Sequence, residues 1–155
     1  LKEREVMLLE EFEDVAAVIE PTEKPVHDKG EVCETIILSF NGEILKRLIE
    51  SEEVYPGGYL KSINGQHPWY IYRQGPSKLA VMLAPIGAPM IVGQLEELEA
   101  RGFKNFIILG SCGVLDRSIE ADKIILPAAA LRDEGTSYHY APPGDEVAYD
   151  ESLLI

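Results

Sequence analysis

Leu79-Ala80-Val81-Met82-Leu83-Ala84, then Ile86-Gly87-Ala88-Pro89, and further on Phe106-Ile107-Ile108-Leu109-Gly110-Ser111-Cys112-Gly113 are the stretches on which the fold turns. The first is almost continuously apolar, as a strand is when helices cover both faces of its sheet. Pro89 suits the first turn of a helix, where its missing N–H leaves no bond unmade. Met90, Ile91, Leu95 and Leu98 give that helix an inner face, Glu96, Glu97 and Glu99 its wet side, and Gly102 a stop. Phe106 to Leu109 reads as the next buried strand and Ile124 to Leu131 as a further one. Strand, helix and strand at this spacing form a βαβ unit, so the expected class is α/β with a mixed, twisted sheet.

Working outward, Leu1 to Glu13 could form a short helix, and Val15-Ala16-Ala17-Val18-Ile19 reads as a short buried strand ended by Glu20-Pro21. Thr22 to Gly30 is loop by its prolines and charges. Cys33 to Phe40 is a second strand. After it Asn41 can cap a helix whose apolar stripe is Ile44, Leu45, Leu48 and Ile49. Pro56-Gly57-Gly58 breaks the chain. Tyr59 to Ile63 and Pro68 to Arg73 then flank Asn64-Gly65, a pair that favours the positive φ angles of a tight hairpin. Trp69 and Tyr70 in that hairpin are expected to pack on the sheet or on a neighbouring subunit.

No repeat, low-complexity tract or linker divides the chain, so residues 1–155 are read as one domain. The first residue is leucine, and Asp150-Glu151-Ser152-Leu153-Leu154-Ile155 looks like a helix beginning. The expectation is therefore a single incomplete domain, truncated at its C-terminus.

A chain of 155 residues buries roughly two thirds of its unfolded surface and can hold a real core. Its net charge of -13 argues against nucleic acid or an anionic membrane as partner, since its own field would repel either. Two distant cysteines, Cys33 and Cys112, and the lack of a basic-then-apolar start make the cytoplasm the expected location. His27, His67 and His139 are too widely spaced to suggest a metal site, and none is expected.

Three segments could carry chemistry. Leu109-Gly110-Ser111-Cys112-Gly113 follows a strand at its carboxyl end, where open α/β sheets bind ligands. Its glycine N–H groups and the Ser111 hydroxyl form either a nest for an oxyanion or sugar hydroxyl, or simply a turn. Ile86-Gly87-Ala88-Pro89 joins a strand to a helix N-terminus that favours negative charge, or it only caps the helix. Arg132-Asp133-Glu134-Gly135-Thr136-Ser137-Tyr138-His139-Tyr140 gathers cation, acids, hydroxyls, imidazole and phenols around one glycine. Tyr140 or Tyr138 could stack on a planar base or form a half-buried packing rim. Ser111 lies in no Gly-x-Ser-x-Gly elbow, and Cys112 beside it is read as a small buried residue rather than a nucleophile.

Taken in order with Leu95-Glu96-Glu97-Leu98, these segments resemble the nucleoside phosphorylase superfamily, which includes uridine and purine nucleoside phosphorylases. The resemblance covers residues 79–145 well. It implies a three-layer α/β fold, and a pentosyltransferase that splits the N-glycosidic bond of a purine or pyrimidine nucleoside by phosphorolysis. It implies no cofactor, inorganic phosphate as co-substrate, and homo-oligomeric assembly. By motif, Gly87, Ser111, Cys112 and Gly113 stand at phosphate- and ribose-binding positions, and Tyr140 where an aromatic packs on the base. Ile108 occupies a position where such proteins carry an arginine. A second arginine, from a Gly-Asp-Pro-x-Arg loop after the first strand, finds Glu20-Pro21-Thr22-Glu23-Lys24 in its place, and lysine cannot reproduce a bidentate fork. The family's acidic groups for ribose and leaving base lie beyond Ile155, so the 155-residue chain alone is expected to turn over no nucleoside. Hydrolysis by water and a non-catalytic nucleoside-binding or assembly module are the alternatives.

Overall fold

Five strands form one sheet in a computed structural model that describes residues 12, 14–23, 30–120 and 122–149. The strands are β1 (Thr35–Ser39), β2 (Val54–Ser62), β3 (Gly65–Gln74), β4 (Ser77–Leu83) and β5 (Asn105–Leu109), in the order β2-β3-β4-β1-β5. β1 runs parallel to both β4 and β5, while β3 pairs antiparallel with β2 and β4, so the sheet is mixed. Two helices accompany it, α1 (Gly42–Glu50) and α2 (Ala88–Arg101). The fold is α/β, as expected. All these elements belong to a compact unit spanning Ala17–Cys112.

Register explains the core. Ile36 of β1 lies opposite Ala80 of β4, which lies opposite Ile71 of β3; Leu38, Met82 and Trp69 form the next such row. Successive strand side chains alternate faces, so both rows point to one side, and all six residues are buried. Leu98 of α2 and Phe103, just past its end, close over them, with the Phe103 ring edge-on to Trp69 at 5.7 Å. Val81 points the other way, and α1 begins over that face: a side chain at Gly42 would meet Leu83 at 3.7 Å. Leu45 is the buried residue of α1.

Local chemistry sets the element ends. The Asn41 side chain accepts from the Glu43 N–H at 3.0 Å, capping α1. Pro89 lies in the first turn of α2, and Gly102 ends that helix in the left-handed region, with φ 111°. The hairpin turns at Ile63-Asn64, with Gly65 at φ 116° opening β3. In place of the break expected at Pro56-Gly57-Gly58, β2 continues through it with a bulge. There the Gly57 carbonyl accepts from the Glu31 N–H at 2.7 Å.

Other expectations change. Val15 to Ile19 is irregular and exposed rather than a buried strand, because no partner strand among the described residues takes up its backbone groups. Among the described residues β1 is thus the first strand of the sheet. β5 is a strand, yet it is not buried: Ile107, Ile108 and Leu109 keep 45–47% exposure on a flank with no further strand among the described residues. Of the run from Ile124 to Leu131, only β6 (Ala129–Leu131) is strand; it pairs antiparallel with β7 (Glu146–Ala148) in a separate two-stranded sheet. That small sheet belongs to a second compact unit, which holds the residues from Gly113 onward. The expected helix in Leu1 to Glu13 and the helix start at Asp150 lie outside the described residues, apart from Phe12.

Candidate functional site

Three loops leave the sheet at the same edge. Ser39 is opposite Leu83 on one flank and Leu109 on the other. The Phe40 N–H donates to the Leu109 carbonyl and the Ala84 N–H to the Ser39 carbonyl, both at 2.9 Å. The carboxyl ends of β4, β1 and β5 are thereby aligned, and Gly87, Asn41 and Ser111 follow them. α1 turns away over β4, β1 and β2, which leaves a crevice at the β1/β5 ends. This is where a doubly wound sheet offers a ligand site.

A cavity of about 430 Å³ occupies that crevice, lined among others by Asn41, Gly42, Glu43, Gly110 and Ser111. Gly110 permits the close approach, since a Cβ there would lie 3.2 Å from the Phe40 ring. Ser39, fully buried, is tied to Asn41: its hydroxyl accepts from the Asn41 N–H at 3.1 Å and donates to the Asn41 carbonyl at 3.4 Å. That pair fixes the loop that enters α1. Among the described residues no lysine or arginine lines the cavity, and Glu43 is its charged residue. Gly87, at φ 106°, precedes α2; its carbonyl accepts from Met90 and Ile91, and any other residue there would be strained.

Gly87, Ser111 and Cys112, singled out from sequence, therefore sit at the ends of strands flanking β1, although Gly87 and Cys112 do not line the cavity. Cys112 is exposed, against the expectation of burial, because the chain beyond β5 leaves the sheet. Burial pushes the Cys33 thiol up, so it stays protonated near neutrality. Gly113 and Tyr140 belong to the other unit.

The turn after the first strand is Phe40-Asn41-Gly42-Glu43-Ile44 and not Glu20 to Lys24. Pro21–Glu23 instead form a single 3-10 turn that packs on α2, and Lys24 lies outside the described residues. The expected position of the turn rested on Val15 to Ile19, an apolar run that forms no strand. The signal for the true one, a capping Asn41 directly after an apolar strand, was present. This turn carries no arginine either; the nearest is Arg47, in the last turn of α1. Ile108 pairs with Leu38 within β5.

In the second unit, Arg132 is buried and organises the loop that follows β6. Its guanidinium donates to the Ser137 hydroxyl at 2.9 Å, to the Ala141 carbonyl at 3.1 Å and to the Pro142 carbonyl, and it lies 4.0 Å from the centroid of the Tyr138 ring. Ser137–His139 form a 3-10 turn. The Glu134 carboxylate accepts from the N–H groups of Thr136 and Ser137. Hydrogen bonds from Ser137, its hydroxyl foremost, hold the Glu134 carboxyl below the usual carboxylate range. Of the two tyrosines that sequence left open for stacking, Tyr138 lies under the Arg132 guanidinium, and Tyr140 is 52% exposed.

Known proteins match this chain in part. A uridine phosphorylase of Thermococcus kodakarensis is 40% identical over 62 residues, 40% of this chain and 22% of that protein. A guanosine phosphorylase of Halorubrum lacusprofundi is 32% identical over 62 residues, 40% of this chain and 26% of that protein. A uridine phosphorylase of Haemophilus influenzae is 29% identical over 84 residues, 54% of this chain and 33% of that protein. The chain thus spans between about a fifth and a third of the length of these relatives. The phosphorylase superfamily pattern matches residues 34–154, beginning where the sheet itself begins, and the chain belongs to that superfamily.

Proposed function

We propose that this protein acts in cleaving the N-glycosidic bond of a purine or pyrimidine nucleoside by phosphorolysis. A phosphate oxygen forms the new bond to the ribose anomeric carbon, the carbon–nitrogen bond breaks, and the base leaves with its electron pair and takes a proton. The observation that carries this reading is the convergence of the Gly87, Asn41 and Ser111 loops on one sheet edge, together with family membership. Ser111 and the backbone N–H of Gly113 would hold phosphate and ribose, Gly87 and Cys112 would shape that border, and Tyr140 would pack on the base. The groups that stabilise the leaving base and the ribose are assigned to no residue of this chain. The relatives' names make uridine and guanosine the substrates to try first.

On this reading the protein is a cytoplasmic homo-oligomer that uses phosphate and no cofactor. Exposed apolar residues on β5 favour association. Among the described residues no helix is long and apolar enough to cross a membrane.

One observation favours hydrolysis instead: among the described residues the cavity presents Glu43 and no cation to an incoming phosphate dianion. Release of uracil and guanine, measured with and without phosphate, decides. Phosphate-dependent release with ribose 1-phosphate as product is expected; phosphate-independent release of free ribose would establish water as nucleophile. Binding of nucleoside without release of base would leave only a binding module.

A further inference from the structure

Arg132 is at the wrong depth for a ligand-binding cation. It is 9% exposed, and its guanidinium contacts Ser137, Tyr138, Ala141 and Pro142, all groups of its own loop. One edge of the guanidinium holds the Ser137 hydroxyl, and the other holds the carbonyls of Ala141 and Pro142. These anchor points bracket Tyr140, whose own N–H donates to the Ser137 carbonyl at 3.1 Å. Below the plane sits Tyr138, whose hydroxyl reaches back to the Arg132 carbonyl at 3.5 Å. The Arg132 N–H also donates to the Asp145 carbonyl at 2.9 Å, where β6 meets β7. Only a planar group with donors on several edges satisfies this set; an ammonium has the charge without the fork.

We propose that Arg132 is the positioning residue of the base subsite: it touches no ligand, and it fixes both ends of the segment that presents Tyr140. The inference rests on the reading that Tyr140 packs on the base. A buried cation held largely by neutral oxygens is expensive to desolvate, which points to geometry as what it provides. Its action is confined to the base; phosphate affinity is independent of it.

Uridine and guanosine titrated calorimetrically into the protein, and into Arg132→Lys, Tyr140→Ala and the double variant, provide the test. Arg132→Lys is expected to weaken binding about tenfold, and to add nothing once Tyr140 is alanine. Additive losses, or unchanged binding in Arg132→Lys while Tyr140→Ala weakens it, would overturn the proposal. Unchanged binding in Tyr140→Ala, or none by the native protein, defeats the base-packing reading itself. Should Arg132→Lys not fold, Ser137→Ala removes one anchor and is expected to give a smaller loss that also vanishes without Tyr140. The clamp is checked separately on the native protein, by exchange of the Arg132 Nε–H with solvent in nuclear magnetic resonance spectra. Slow exchange is expected, and exchange as fast as that of an exposed arginine would refute it.

Discussion

Trp69 shows how single residues set the packing. Its indole is fully buried, donates to the Glu31 carbonyl at 2.8 Å and meets Phe103 edge-on. The room for it comes from glycines. A Cβ on Gly58 would fall 2.4 Å from the indole ring, and one on Gly57 would fall 2.5 Å from its nitrogen. The Pro-Gly-Gly run that looks like a chain break is therefore a strand stripped of side chains beside a large ring, with the Gly57 bulge absorbing the extra residue. Because a rigid bicycle cannot yield as a flexible side chain would, Gly58→Ala is expected to destabilise by about 3 kcal/mol, at the upper end for overpacking. Urea unfolding followed by the fluorescence of this single tryptophan measures it; an unchanged midpoint would mean that the slot has slack.

Among the elements, the short turn at Ser137–His139 depends on an acid outside it. Glu134 supplies the acceptor for two N–H groups that a turn this short leaves unmade. Since its folded pKa is depressed, its contribution is present above the unfolded value and is lost as pH falls through the folded one. Protection of the Thr136 and Ser137 amides from exchange should thus hold from neutrality to the ordinary carboxylate range near about 4.3 and disappear below it. Glu134→Gln should abolish that pH dependence; a persisting transition would assign it to another group. How far the elements were legible follows from where their signals lie. β4, α2 and the hairpin announce themselves locally, by a continuous apolar run, by Pro89 and Gly102, and by Asn64-Gly65. Val15 to Ile19 shows only an apolar run, and a run becomes a strand only where a partner accepts its hydrogen bonds. β5 was legible as a strand but not as an exposed one, since exposure is set by neighbours. For the site, the loops at Gly87 and Ser111 were legible by their glycines, whereas the Asn41 turn was missed with the strand order. The contact of Tyr138 with Arg132 was not legible, since it depends on the fold of Arg132 back onto its own loop.

Across the whole molecule, 27 acidic residues against 14 lysines and arginines leave a net charge of -13. Two electrostatic effects of opposite salt dependence compete. Ion pairs such as Lys78–Glu31, Lys104–Glu34 and Lys123–Glu120 are solvent-exposed, and pairs of that kind contribute about 0–1 kcal/mol each. Self-repulsion among the unpaired acids acts over the whole surface and favours the expanded state. The imbalance of acids over bases makes repulsion the larger effect. Raising NaCl from about 0.02 to about 0.5 M, which shortens the Debye length from roughly 20 Å to about 4 Å, is therefore expected to raise Tm. A gain of about 1 kcal/mol would appear as about 2–4 °C in a chain of this size. A fall in Tm would mean that the ion pairs dominate. Sodium phosphate at matched ionic strength then separates screening from binding, because an anion held by the folded protein stabilises it in proportion to RT ln(1 + [L]/Kd) while screening does not distinguish the salts. Since sulfate shares phosphate's exclusion from protein surfaces, a rise in phosphate beyond that in both chloride and sulfate marks phosphate binding to the folded protein, which the same titration of Ser111→Ala, expected to lose the excess, assigns to the crevice or to another place. Equal rises in phosphate and sulfate leave the crevice without a phosphate of its own and shift the chemistry toward water.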